Sequence, residues 1–233
     1  MSRKALSIAE VLPQLSDVLD LLTETQRTVL LPQLTLHVYR KNEIIYSEDE
    51  TPHYLYCLIQ GKVKVYKEGV GGRSQIVRVV KPVEYFGYRA AFAGQDYVTS
   101  AAAFEPSVIV LCPIKAMVML LKENASLSWF FIQRLSANLG RADERTVSLT
   151  QKHIRGRLAE SLLFLKDSYG LEEDGSTLSI YLSREDLANL SNMTTSNAIR
   201  TLSVFAAEHI VAIDGRKIKI IDEQKLQKIS KIG

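Results

Sequence analysis

The chain has 233 residues, 46% of them hydrophobic and 24% charged, with a formal net charge of +3; this suffices for one large core or two modest ones and excludes a disordered or fibrous chain. No apolar run approaches the roughly 20 residues of a membrane span, and the N-terminus carries acids and Pro13 in place of a continuous signal-peptide core, so the cytoplasm is the expected location and no membrane partner is expected. Cys57 and Cys112 are too few for a Cys-only iron–sulfur cluster or a structural zinc site unless two chains contribute, and they fit a reducing compartment.

Residues 8–31 carry a short helical pattern, after which short apolar runs recur between Pro and Gly turn signals. The runs 34–39, 44–46, 54–60, 62–67, 75–80, 100–104 and 107–112 read as strands of an antiparallel sandwich or roll. Gly61 punctuates two of them, Gly69-Val70-Gly71-Gly72 reads as a flexible hairpin tip, and Phe86-Gly87 begins a compact irregular segment.

From about Leu120 the period becomes helical, and Ser128, Ile132, Leu135, Leu139, Ala142, Thr146 and Leu149 recur at spacings of four and three. So narrow a stripe predicts pairing with the same helix of a second chain, through Ile132, Leu135, Leu139, Ala142 and Leu149. The competing reading is a long helix packed on its own roll, and Ser128, Ala142 and Thr146 weaken the seam.

Residues 182–221 read as a helix, a tight turn, a second helix and a basic hairpin. Ser183-Arg184-Glu185-Asp186 is a helix start, with Leu187, Ala188 and Leu190 on the buried side. Ser191-Asn192-Met193 breaks the period, Asn tolerating a left-handed backbone, and Thr194 is the next N-cap. In the second helix Ala198, Leu202, Phe205 and His209 share a face toward a core, while Ser196, Arg200, Ser203 and Ala207 form an opposite face that is small and polar apart from one cation. Such a face suits entry into a DNA major groove roughly 12 Å wide. Asp214-Gly215 between alternating apolar runs predicts a hairpin carrying Arg216, Lys217 and Lys219. An ordinary helical hairpin is the competing reading, and charge does not decide between them, since residues 151–233 hold 12 Lys+Arg against 11 Asp+Glu, net +1. Placement favours the nucleic-acid reading, with Lys152, His153, Arg155 and Arg157 clustered ahead of the module and Glu172, Glu173 and Asp174 in a separate loop.

Roll, long helix and C-terminal helix-turn-helix in this order resemble the Crp/Fnr superfamily of bacterial transcription regulators over essentially the full length. The residues that carry the resemblance are the strand pair 54–66 hinged on Gly61, Phe86-Gly87, Arg155-Gly156-Arg157-Leu158-Ala159, and Leu182 to Ala188. The resemblance implies an α+β chain with an N-terminal antiparallel β-roll of the cupin-like jelly-roll type (1–119), a long dimerisation helix (120–150) and a winged helix-turn-helix DNA-binding domain (151–233). It implies a non-enzymatic homodimer that binds a pseudo-palindromic double-stranded operator, engages RNA polymerase and answers to a small-molecule effector, with a hinge near residues 151–153. The implied DNA contacts are Thr194, Thr195, Ser196, Asn197, Arg200, Ser203, Arg216 and Lys217; the implied effector pocket is Phe86, Gly87, Tyr88, Arg89, Tyr97, Val98 and Thr99.

Departures from the pattern matter as well. Family members that bind cyclic AMP carry Gly-Glu followed by Arg-Ser/Thr, where this chain has Gly87-Tyr88-Arg89 and Val98-Thr99-Ser100, which argues against cyclic AMP. The oxygen-sensing branch needs an N-terminal cysteine cluster that this chain lacks. Cys112-Pro113 with His37 or His53 is a weak haem signal against the ordinary reading of a strand end, so the cofactor is unknown and a haem or small-molecule sensor acting through protein partners is the alternative. On the reading helix the family's Glu and Arg four residues apart become Ser196 and Arg200, so the operator is expected to differ. No metal-ligand spacing, nucleophile elbow or phosphate loop suggests an enzyme.

Overall fold

The computed structural model describes residues 6–69 and 72–232, so Val70 and Gly71 of the expected hairpin tip lie outside the described residues. The chain forms two compact units, the first up to Lys67 and again over Val77–Leu139, the second over Glu68–Ile76 and from Gly140 onward.

The first unit opens with three short helices, α1 (Ile8–Val11), α2 (Ser16–Leu19) and α3 (Glu24–Leu30). Ser7 and Thr23 start α1 and α3 with reciprocal capping boxes, while Pro13 sits in a 3₁₀ turn between α1 and α2 and Pro32 in one that follows α3. Eight strands follow among the described residues, the end of β4 and the start of β5 falling in the second unit: β1 (Thr35–Tyr39), β2 (Ile44–Tyr46), β3 (Tyr54–Gln60), β4 (Val63–Glu68), β5 (Ser74–Val80), β6 (Glu84–Phe86), β7 (Ser100–Ala103) and β8 (Ser107–Pro113), with helix α4 (Tyr88–Phe92) after β6. All seven expected strands are present to within a residue at their ends; β6 and α4 are additional.

The strands make two four-stranded sheets, ordered β1-β8-β3-β6 and β2-β7-β4-β5, and the β1–β8, β8–β3, β3–β6, β2–β7 and β7–β4 pairings are antiparallel. β3 is central, and its alternation divides the core in two. Leu55, Cys57 and Ile59 face the layer of helices, while Tyr56 and Leu58 face the inside of the roll. Cys57 and Cys112 both belong to the helical side, and burial pushes each thiol up to about 12. The register Tyr56↔Phe86 and Cys57↔Tyr85 fixes β6 beside β3.

The long helix does not begin near Leu120. A separate helix, α5 (Ile114–Glu123), ends at Asn124, and α6 (Ala125–Gln151) begins after it. Asn124 Oδ1 accepts the Leu127 N–H (2.9 Å) while its Nδ2 donates to Leu21 O (2.8 Å) and Gln26 Oε1 (2.9 Å), so one side chain caps α6 and ties it to the N-terminal helices. In the first half of α6, Leu127 and Phe131 are buried and Phe130 and Leu135 pack partly against the same core. Arg134 Nη2 and the Tyr85 hydroxyl both donate to Asp17, at 2.8 and 2.6 Å. Trp129, Ile132 and Leu139 remain 60, 49 and 64% exposed.

The second unit holds the end of α6, α7 (Ile154–Tyr169), α8 (Arg184–Leu190), α9 (Thr195–Ala207), β9 (Val211–Asp214), β10 (Lys217–Ile220) and α10 (Glu223–Ile232), which packs on α7. Leu158, Leu162, Leu187, Ala198, Leu202, Phe205 and Leu226 are among its fully buried side chains. Between α6 and α7, Arg157 Nη1 donates to Leu149 O (3.0 Å), and Glu160 accepts from Lys152 Nζ (2.9 Å) and from Ser148. Arg155 pairs with Glu208 (Nη1 at 2.8 Å) and lies 5.1 Å from the Phe205 ring centroid. Three members of the expected basic cluster are therefore committed to holding the unit together, a correction to their reading as charge available to DNA.

Candidate nucleic-acid interface

Helix α8 starts as the sequence predicts, Ser183 Oγ accepting the Asp186 N–H at 2.9 Å. Asp186 Oδ2 in turn accepts from the Ser183 hydroxyl (2.7 Å), so the start is closed side chain to side chain. Asn192 takes φ +50° in the turn, and Thr194 Oγ1 accepts the Asn197 N–H (3.2 Å) to open α9. At the buried C-terminus of α8, Arg145 of α6 donates to Leu190 O (2.8 Å), and burial holds this guanidinium below its usual pKa.

On α9, Ala198, Leu202 and Phe205 are buried while Thr194, Thr195, Ser196, Arg200, Ser203 and Ala207 are exposed and Asn197 is half-buried. Arg200 Nη2 donates to Asn197 Oδ1 (2.8 Å), and Ser203 Oγ donates back to Ile199 O (3.0 Å). Two features correct the sequence reading. The polar face is bordered by exposed Ile199 and Val204, and His209 is not on a buried helical face. α9 ends at Ala207, and exposed His209 takes φ +56° with Ile210 N donating to Phe205 O (2.9 Å) and His209 N to Ala206 O (3.0 Å), a Schellman closure that buries Ile210.

The wing turn is one residue later than expected. Asp214 pairs with Lys217, leaving Gly215-Arg216 as the two-residue connection, with Gly215 at φ +54°. Arg184 Nη2 donates to Gly215 O at 2.6 Å, which ties the start of α8 to the wing tip. Residues 176–178 extend the wing, Leu178 N donating to Ile218 O (2.9 Å) and Ile220 N to Ser176 O (2.8 Å). The acidic loop is consequently not separate. Glu172 lies 3.9 Å from Lys217 Nζ and Asp174 lies 3.5 Å from Lys219 Nζ, while Lys217 sits 5.5 Å from the Tyr181 ring centroid.

In the roll, the residues implied as an effector pocket divide into two groups. Phe86, Tyr88 and Tyr97 are buried, Gly87 and Thr99 are half-buried, and Arg89 and Val98 are exposed. Tyr97 stacks on Tyr46 (3.9 Å between centroids), Phe86 stacks on Tyr56 (5.1 Å), and the Tyr88 hydroxyl accepts from Asn138 of α6 (3.3 Å). Burial pushes the Tyr46 hydroxyl up to about 12. Gly87 holds φ +77°, and a Cβ there would stand 2.5 Å from the Tyr56 ring, so the space beside it belongs to that ring. His37, His53 and His153 are exposed.

Comparison with known proteins agrees with this architecture. The cyclic nucleotide-binding domain family matches residues 36–124, and the Crp-like helix-turn-helix domain family matches residues 156–229. The chain is 24% identical over 198 residues to the CRP-like cAMP-activated global transcriptional regulator of Mycobacterium tuberculosis, covering 84% of this chain and 88% of that protein. It is 24% identical over 188 residues to the global nitrogen regulator of a Nostoc species, covering 79% and 84%. FixK2 of Bradyrhizobium japonicum has the same fold, with a TM-score of 0.76 at 24% identity over 84% of this chain and 96% of that one. A roll of the cyclic nucleotide-binding type followed by a long helix and a Crp-like winged helix-turn-helix makes this chain a member of the Crp/Fnr superfamily of bacterial transcription regulators, a DNA-binding and non-enzymatic family.

Proposed function

We propose that the chain is a cytoplasmic homodimer that reads a pseudo-palindromic operator with α9 and answers to a small-molecule effector other than cyclic AMP. The observation that carries the DNA reading is α9 itself, where Ala198, Leu202 and Phe205 anchor one side completely and Ser196, Arg200 and Ser203 are left exposed on the other. Arg200 addresses guanine O6 and N7, the most frequent specific pairing in the major groove. Thr194, Thr195 and Asn197 at the helix start and Arg216 and Lys217 on the wing contact phosphates. Residues 1–119 are assigned to sensing, 120–150, which take in the end of α5 before α6, to pairing and 151–233 to DNA, with RNA polymerase as the protein partner.

Exposed Ile132 and Leu139, about one and three turns beyond Trp129 on α6, support pairing between long helices, with Ala142 and the half-buried Leu149 continuing the seam. Leu139→Asp places a charge at that interface, at a cost of several kcal/mol, and is expected to sediment as a monomer. A native-like dimer would refute the pairing. Against cyclic AMP stand Tyr88, whose hydroxyl is engaged by Asn138, and exposed Val98, at the places of the ribose acid and the phosphate guanidinium. The test of the whole reading is binding-site selection with purified protein, followed by titration of the selected duplex across salt concentrations and with cyclic AMP. A two-fold motif with half-sites about 34–36 Å apart and steep salt dependence is expected, unchanged by cyclic AMP.

A further inference from the structure

We propose that Ile199 reads a thymine methyl group beside the base pair addressed by Arg200. The inference rests on the DNA-reading role of α9 and adds a base-specific contact to it. Ile199 is 48% exposed although the buried side of α9 is already complete at Ala198, Thr201, Leu202 and Phe205, so the fold does not need a large aliphatic there. It is the fifth residue of the helix, three after Ser196 and four before Ser203, and therefore shares a surface stripe with both while directly preceding Arg200. Val204 is 39% exposed and borders the polar face on its other side, but it is the tenth residue, and reading helices address base edges with their N-terminal residues.

The local geometry makes Ile199 a defined probe. Its carbonyl accepts from Ser203 Oγ (3.0 Å), and the neighbouring guanidinium is steered by Asn197 Oδ1 (2.8 Å). A β-branched side chain in a helix is nearly restricted to one χ1 rotamer, so its methyl groups have a nearly fixed direction. Among the base edges of the major groove only thymine presents a methyl group; cytosine and adenine present amino donors and guanine two acceptors. Isoleucine has nothing to offer those polar groups and would strip water from them without replacement, whereas against thymine it buries apolar surface on both sides. The face thus pairs a charged guanine reader with an adjacent apolar thymine reader.

The test uses native full-length protein and a duplex obtained by selection from a random pool. Each thymine of a half-site is replaced in turn by uracil, which deletes only the 5-methyl group. One thymine per half-site, within two base pairs of the guanine whose preference Arg200→Ala erases, is expected to lose about fourfold in affinity, the value of one methyl group taken from an apolar contact, and about fifteenfold when both half-sites are changed. Ile199→Ser is expected to bind thymine and uracil duplexes equally while keeping the guanine preference and the native melting temperature. Uracil duplexes that all bind like the parent, or an Ile199→Ser protein that still discriminates, would overturn the assignment while leaving α9 as the DNA reader. Absence of any salt-dependent, sequence-selective binding would remove both.

Discussion

Phe86, Tyr88 and Tyr97 of the roll are 1, 2 and 4% exposed and stack into its cores, whereas Ser196, Arg200 and Ser203 of α9 stand in the open with no part in a core. Both sets occupy the places where the family pattern puts function, yet the fold consumes the first and leaves the second unused. A side chain that the core requires reports on stability when changed, while one the core does not require reports on recognition. The same contrast extends to ionisable groups. Apart from Glu10, the shifted groups among the described residues of the first unit are tyrosines and thiols raised by burial; those of the second include Asp174, Glu208 and Glu223, lowered by hydrogen bonds from Thr177, Arg155 and Lys166 respectively.

The broadest way to separate the two units is therefore pH. A carboxyl group lowered in the folded state contributes stability above its unfolded pKa and loses it as pH falls, so acidification below about 4 is expected to weaken the second unit more than the first, by a modest amount for each group because these carboxylates are partly exposed and screened. A tyrosine or thiol raised in the folded state contributes stability below its unfolded pKa and loses it as pH rises, so the first unit is expected to weaken from about pH 9 upward, toward the value of about 12 for Tyr46 and the two thiols. Hydrogen exchange followed by unit at about pH 3.5 and about pH 10, one inside each range, checks this; the same unit opening first at both ends would break the contrast. Next in size, Phe86→Ala is expected to cost the roll about 3–5 kcal/mol in chemical denaturation. A loss under about 1 kcal/mol, well below the usual range for such a truncation, would mean that the aromatic stack with Tyr56 is not what holds β6 to β3.

Arg200→Ala is the counterpart on the open face. It is expected to leave the melting temperature unchanged and to remove about 1–3 kcal/mol of discrimination at one base pair per half-site, read by repeating the binding-site selection. An unchanged selected motif would show that another residue reads the guanine.

What the sequence discloses follows from how local each determinant is. The alternation of Leu55, Cys57 and Ile59 against Tyr56 and Leu58 lies within one strand, and Ser183, Asn192 and Thr194 act on backbone no more than three residues away; these are legible. β6 has three residues and is defined by its partner β3, whereas α10 does carry an apolar stripe, Leu226, Ile229 and Ile232 at intervals of three, that is legible although the expected elements stop at the hairpin. The split between α5 and α6 depends on Asn124 reaching Leu21 and Gln26, about a hundred residues back in the chain. Arg155 and Arg157 read as available charge because their partners, Glu208 and the Leu149 carbonyl, are chosen by packing. The exposure of Ile199 likewise appears only once the buried side of α9 is seen to be full.

The acidic loop supplies the smallest and most discriminating test. Glu172 and Lys217 are 3.9 Å apart with both side chains partly exposed, a pair worth between zero and about 1 kcal/mol in solution. A phosphate approaching Lys217 has to compete with that carboxylate, which also repels the DNA directly. Lys217→Ala is expected to weaken binding to every duplex alike and to lower the log–log salt slope by about 1 for each phosphate left without its cation, twice that in a two-fold complex. Glu172→Gln should do the opposite, raising affinity for any sequence by no more than a few-fold without altering the selected motif. Because the proposed action of Glu172 runs through Lys217, most of that gain should disappear when Glu172→Gln is made in the Lys217→Ala background, leaving only the long-range repulsion that salt screens within about 10 Å. An equal gain in both backgrounds would show that the carboxylate opposes DNA by itself, and the wing lysine would then have no claim to the phosphate.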